Sequence, residues 1–179
     1  MIYKKIIPEI MVDLGERTVF EDLRHPYHIL RLHIHLESWA GDDLLEIAPC
    51  FIVTERLMRS LLDSEFTGFH FDDVEVTTDQ YFEDNYNLDK DLPDFYWMKV
   101  NGMENKDDLF ISDDYLFISE RLLKYLQNKF SIKNSQIEPE RNEFDDLLDD
   151  IFAKRDAKNK PHGPKDNPDN KWLPPNWNE

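Results

Sequence analysis

The sequence predicts an α+β fold: two related strand-helix-strand lobes around a mixed or antiparallel sheet, with a C-terminal helix and an extended tail. Three observations lead there. One segment alternates apolar and polar residues without a break, one strand-to-helix junction occurs twice, and the composition is that of a packed protein. Hydrophobic residues make up 40% of the 179 and aromatic residues 13%, too rich in packing material for a disordered chain. The length suits one domain with a real core.

The N-terminus, Met1-Ile2-Tyr3-Lys4-Lys5-Ile6-Ile7-Pro8-Glu9, carries lysines but no sustained apolar stretch and no small-residue cleavage site. It does not read as a signal peptide, and no segment has the run of apolar residues that a membrane span needs. The chain is read as cytoplasmic. Residues 30–37, Leu30-Arg31-Leu32-His33-Ile34-His35-Leu36-Glu37, form the clearest strand. Its period of two puts the leucines and Ile34 on one face, and Arg31, His33, His35 and Glu37 on a solvated one. Residues 39–45 read as a turn into a new element. Cys50 lies in an apolar run and is the only cysteine, so no internal disulfide is expected and a buried, inert thiol is.

The repeat follows. Phe51-Ile52-Val53-Thr54-Glu55-Arg56-Leu57-Met58-Arg59-Ser60-Leu61-Leu62 matches Leu116-Phe117-Ile118-Ser119-Glu120-Arg121-Leu122-Leu123-Lys124-Tyr125-Leu126-Gln127 at most positions in chemical type. In each copy a β-branched and aromatic run makes a buried strand. Thr54 or Ser119 then caps a helix by accepting an early backbone N–H, and Glu55 or Glu120 suits the positive end of the helix dipole. Leu57, Leu61 and Leu62, like Leu122, Leu123 and Leu126, fall on one helical stripe. Each copy then reaches a phenylalanine, Phe66 or Phe130, and a β-like segment at Val74-Glu75 or Ile137-Glu138. A period of about 65 residues exceeds the 20–50 of solenoids, so two lobes are expected, at about residues 45–100 and 101–139.

Between the copies, residues 81–87 read as a polar and aromatic connection and residues 95–100 as a strand closed by the turn signal Asn101-Gly102. A third helix is expected from Glu140 to about Lys154, with Phe144, Leu147, Leu148 and Ile151 at helical spacing. A single domain over 1–155 and an extended or disordered tail over 156–179 complete the organisation. Within that tail, Trp172 and Trp177 are costly to expose and are expected to dock on the body or on a partner, the body being the plainer reading.

The formal net charge of -17 disfavours phosphate backbones and anionic membranes and attracts cationic surfaces. Neither nucleic acid nor membrane is an expected partner. Paired carboxylates arise easily in so acidic a chain and identify no general acid and base. Five glycines leave few places for a phosphate-binding nest, and no calcium-loop, phosphate-loop or nucleophile-elbow pattern is present. No enzyme activity and no cofactor are expected. One alternative stays open: His33 and His35 share a strand face with a spacing that suits two imidazoles on one metal, as in a small metal-dependent enzyme, although Arg31 on that face opposes a cation. An adaptor using the tryptophan tail is a third reading.

From Phe69 to Trp97 nine carboxylates are interleaved with aromatic residues against Lys90 alone. Aromatic anchors supply contact area, while carboxylates steer a basic partner and set its register. Asp72, Asp73, Tyr81, Glu83, Asp84, Tyr86, Asp91 and Asp94 are the candidate partner-binding residues.

The repeated unit Ile52-Val53-Thr54-Glu55-Arg56-Leu57 and Phe117-Ile118-Ser119-Glu120-Arg121-Leu122, with Asp107-Asp108-Leu109-Phe110-Ile111-Ser112-Asp113 before the second copy, resembles immunity proteins of bacterial polymorphic toxin systems. Residues 39–45 look like part of such a protein, and the likeness covers about residues 39–139. It implies a protein that binds and neutralises a cognate toxin, here a basic one such as a nuclease. It assigns no binding residues, because each immunity protein meets its own toxin through its own surface.

Overall fold

A computed structural model describes residues 1–10, 12–22, 28–48, 50–85 and 91–138. A compact unit spans Met1–Pro139. The helix expected at 140–154, the tail and its tryptophans lie outside the described residues, as does Tyr86. The fold is α+β. Its elements are β1 (Tyr3–Ile7), β2 (Val12–Leu14), β3 (Val19–Asp22), β4 (His28–Leu36), β5 (Leu44–Ile47), β6 (Cys50–Thr54), α1 (Glu55–Leu62), β7 (Phe69–Thr78), α2 (Gln80–Asn85), β8 (Phe95–Val100), β9 (Leu109–Ser112), β10 (Tyr115–Ser119), α3 (Glu120–Lys129) and β11 (Gln136–Ile137).

These strands build two sheets rather than one. The smaller is antiparallel in the order β11-β1-β10-β9. The larger runs β2-β4-β7-β8-β6-β5, with β3 also on β4, and its β4–β7 pair is parallel. The larger sheet curls until its ends meet: Glu9, before β2, bridges Leu45 of β5, and the Glu46 amide donates to the Glu9 carbonyl at 2.9 Å. Alternation then sorts side chains to two sides. Leu32, Ile34, Leu36, Leu45, Ile52, Phe95 and Trp97 fill the inside of the curl. On its outside, Phe51, Val53 and Met98 meet the leucines of α1 and α3 and the inner face of the small sheet, Ile6, Leu116 and Ile118.

The sequence repeat is a structural repeat. In one copy β5, β6, α1, β7 and β8 form hairpin, helix and two further strands. The second has β9, β10, α3 and β11, and takes its remaining strand from the N-terminus as β1. The register makes the equivalence exact in kind: Thr54 pairs Phe95 and Ser119 pairs Tyr3, while the amides opening the helices, Glu55 and Glu120, donate to Asp94 and Ile2. Both helices enter one core, which the two copies share. Equivalent residues of the two helices touch each other, Ser60 Oγ lying 2.5 Å from Tyr125 Oη. That self-pairing of equivalent positions is the signature of a two-fold relation, here within one chain.

Several local expectations shift. Within residues 81–87, read as a connection, the described part belongs to α2, with Asp79 Oδ1 accepting the Phe82 amide at 2.8 Å and Phe82 buried. The N-terminal strands β1 to β3 were not expected. Cys50 is buried, and desolvation pushes its thiol up to about 12. A thiol reagent at pH 8 is therefore expected to leave Cys50 untouched in the folded protein and to modify it completely in 6 M guanidinium, read by mass spectrometry.

Candidate functional site

Two carboxylates at equivalent places in the repeat occupy the most elaborate polar sites. Asp43 stands 11 residues before Thr54 and 13 before Arg56, and Asp108 has the same relation to Ser119 and Arg121. The Thr54 and Ser119 hydroxyls each donate to their carboxylate at 2.6 Å, as do Arg56 Nε and Arg121 Nε. A second bond from each guanidinium, Arg56 Nη2 to Asp43 and Arg121 Nη2 to Asp108, completes a two-pronged grip. Ser119 also accepts the Leu122 amide at 3.3 Å as the expected cap; Thr54 makes no such bond.

The remaining lone pairs reach across to the other copy. Asp43 Oδ2 accepts the Ser131 amide at 2.7 Å, and Asp108 Oδ2 accepts the Thr67 amide at 3.1 Å. Arg56 lies over the Phe130 ring and Arg121 over Phe66, with 5.4 and 5.1 Å to the centroids. Each copy thus clasps the segment that follows the other copy's helix. Thr54 with Arg56 and Ser119 with Arg121 are occupied in this clasp, while Glu55 and Glu120 pair with Arg59 and Lys124 one turn along their helices, so the repeated motif is architectural.

Burial raises the Asp108 carboxyl, but hydrogen bonds from Arg121, Ser119 and Thr67 outweigh it, and the net shift is downward from 3.8. A folded-state value below the unfolded one stabilises the protein above about pH 4 and ceases to do so as pH falls through the folded value. Unfolding free energies measured from pH 7 to pH 2 should therefore fall more for the native chain than for Asp108→Asn below about pH 4, with parallel curves above it.

The histidine pair is not arranged for a metal. His33 is buried rather than solvated, because the turn at 15–18 covers it. Its Nδ1 accepts the Arg17 amide at 3.0 Å, and its Nε2 lies 2.9 Å from Thr77 Oγ1. The Arg17 guanidinium, 3.3 Å from the same Nε2, occupies the space a cation would need and pairs with Glu75 at 2.7 Å. Opposition to a metal thus comes from Arg17 rather than from Arg31. Among the described residues no group of three or more ligating side chains converges on a point.

The acidic candidates separate. Asp72 and Asp73 project from opposite faces of β7. Asp72 takes the Lys99 ammonium at 2.5 Å, a bond that holds its carboxyl below the usual range, and that same ammonium lies 3.9 Å from the Trp97 ring centre. Glu83 and Asp84 are exposed on α2, with Asp84 receiving Gln80 Nε2 at 2.9 Å. Tyr81 belongs to α2, and its side chain lies outside the description, as does the whole of Tyr86. Asp91 is exposed.

Asp73 and Asp94 come together on a groove of about 730 Å³ between the second half of β7 and residues 92–96. Val74, Val76, Leu92 and Phe95 supply its apolar lining, with Thr77, Thr78 and Tyr96 beside them. Both carboxylates are exposed, and among the described residues neither has an ion-pair partner. The groove exists because β7 changes partner midway: residues 69–73 pair with β8 and residues 74–78 with β4. Sequence periodicity carried no sign of that switch. No helix among the described residues is long and apolar enough to cross a membrane. Comparisons with protein-family models, curated proteins and solved structures gave no match.

Proposed function

We propose that the protein is an immunity protein, which binds a cognate bacterial toxin and neutralises it by laying an acidic and aromatic surface over a basic one, such as the substrate cleft of a nuclease. The observation that carries this reading is the groove bearing Asp73 and Asp94, two exposed carboxylates with no ion-pair partner among the described residues, beside Tyr96. A net charge of -17 adds long-range attraction for a basic partner. The strand-to-helix junctions support the same reading through their resemblance to immunity proteins, and their side chains leave partner binding to other surfaces.

The test is co-expression with a toxin encoded beside the gene. Growth should be rescued by the native chain, and purified partners should associate more slowly as salt rises from 50 to 500 mM, since screening removes the steering. Equal killing with and without the protein rejects the proposal.

A further inference from the structure

We infer that the groove takes an extended, lysine- or arginine-bearing segment of the partner as an added β-strand along residues 74–78 of β7. This rests on the reading of the protein as a binder of a basic partner and specifies how that partner is held. β7 is ten residues long, and its second half is hydrogen-bonded to β4 along one edge. Along the other edge the β8 register ends at Asp73 opposite Tyr96, and no strand among the described residues continues it. An open strand edge is a template for another strand. Strand addition takes affinity from main-chain hydrogen bonds and selectivity from alternate side-chain sites.

The groove's walls supply those alternate sites. Val74 and Val76 point toward the inside of the curled sheet, where they pack on its core, and Leu92 and Phe95 face them across the groove. Every second residue of an inserted strand would meet this apolar lining. The residues between would project outward, where Asp73 and Asp94 stand at the rim. Glu75, the next outward position on β7, is already paired with Arg17, so the charge on offer is that of the two aspartates. An occupant alternating apolar and basic residues satisfies edge, lining and rim together.

The test uses two end-capped octapeptides, one alternating lysine with valine and one alternating glutamate with valine, added to the full chain. Amide hydrogen exchange is read by NMR. The lysine peptide should slow exchange at residues 74–78, and the glutamate peptide should not. Asp73→Asn with Asp94→Asn should weaken the lysine peptide about tenfold. Unchanged exchange, equal protection by both peptides, or full affinity in the double variant overturns strand addition. A toxin neutralised normally by the double variant, with the peptide result intact, rejects the groove as the toxin contact and leaves its strand-binding property standing. Loss of neutralisation without any peptide protection overturns strand addition alone.

Discussion

Replacing Asp108 with alanine is expected to lower the unfolding free energy by about 3 kcal/mol, because it strands donors built around one fully buried carboxylate. Ser119 Oγ at 2.6 Å loses its acceptor in a buried site, and the Thr67 amide loses the bond that ties it to the other copy. The ion pair itself contributes less. Arg121 is 53% exposed and can turn to water, so its share is that of a largely solvated pair. Urea denaturation should show a lower midpoint with an unchanged slope, since the surface exposed on unfolding stays the same. Adding Ser119→Ala should cost less on the Asp108→Ala background than in the native chain, because the hydroxyl has already lost its acceptor there and only its cap on the Leu122 amide remains to be removed. Asp43→Ala should behave alike through Thr54 and Ser131, as the clasp is reciprocal. A loss below about 1 kcal/mol in both variants would remove the clasp from the account of the fold.

The sequence carried part of this arrangement openly. Strand, cap and leucine stripe lie within a dozen residues in each copy, so local periodicity suffices to find β6-α1 and β10-α3. The clasp was less visible, because Asp43 meets Ser131 and Asp108 meets Thr67 across distant parts of the chain. A signal was present all the same: an aspartate at the same interval before Thr54-Glu55-Arg56 and before Ser119-Glu120-Arg121. β1 is hidden in the sequence because Lys4 and Lys5 mask its alternation. The structure uses Lys5 over the Tyr115 ring and against Glu138, both contacts beyond the reach of a local window. His33 looked solvated for a related reason. The turn that buries it comes so close that a side chain on Gly15 would place its Cβ 2.0 Å from the imidazole. Of the candidate partner-binding residues, composition located the acidic stretch, but only the strand pairing separates Asp73 and Asp94 at the groove from Asp72 on Lys99.

Gly68→Ala tests where the two copies meet backbone to backbone, and its expected cost is about 3 kcal/mol or more. Gly68 has φ near +99°, a conformation that L side chains rarely adopt. An added Cβ would also lie 2.1 Å from the Leu109 carbonyl oxygen. That carbonyl cannot simply withdraw. The Asp108 and Leu109 amides both donate to Thr67 at 3.1 Å, and Gly102, beside Gly68, is packed so closely that its own Cβ would stand 2.0 Å from the same oxygen. The equivalent place in the other copy is taken by Ile132, whose side chain enters the shared core, so the tight approach belongs to one side of the two-fold relation. Gly41 is the internal control, having φ near +100° with nothing within 4 Å of an added Cβ. Gly41→Ala should therefore lose only the conformational strain, about 1–2 kcal/mol. The difference between the two variants in urea denaturation isolates the clash. Similar losses for both would mean that the contact between Gly68 and Leu109 relaxes freely, and that the copies are held together by the carboxylate clasps and the leucine core instead.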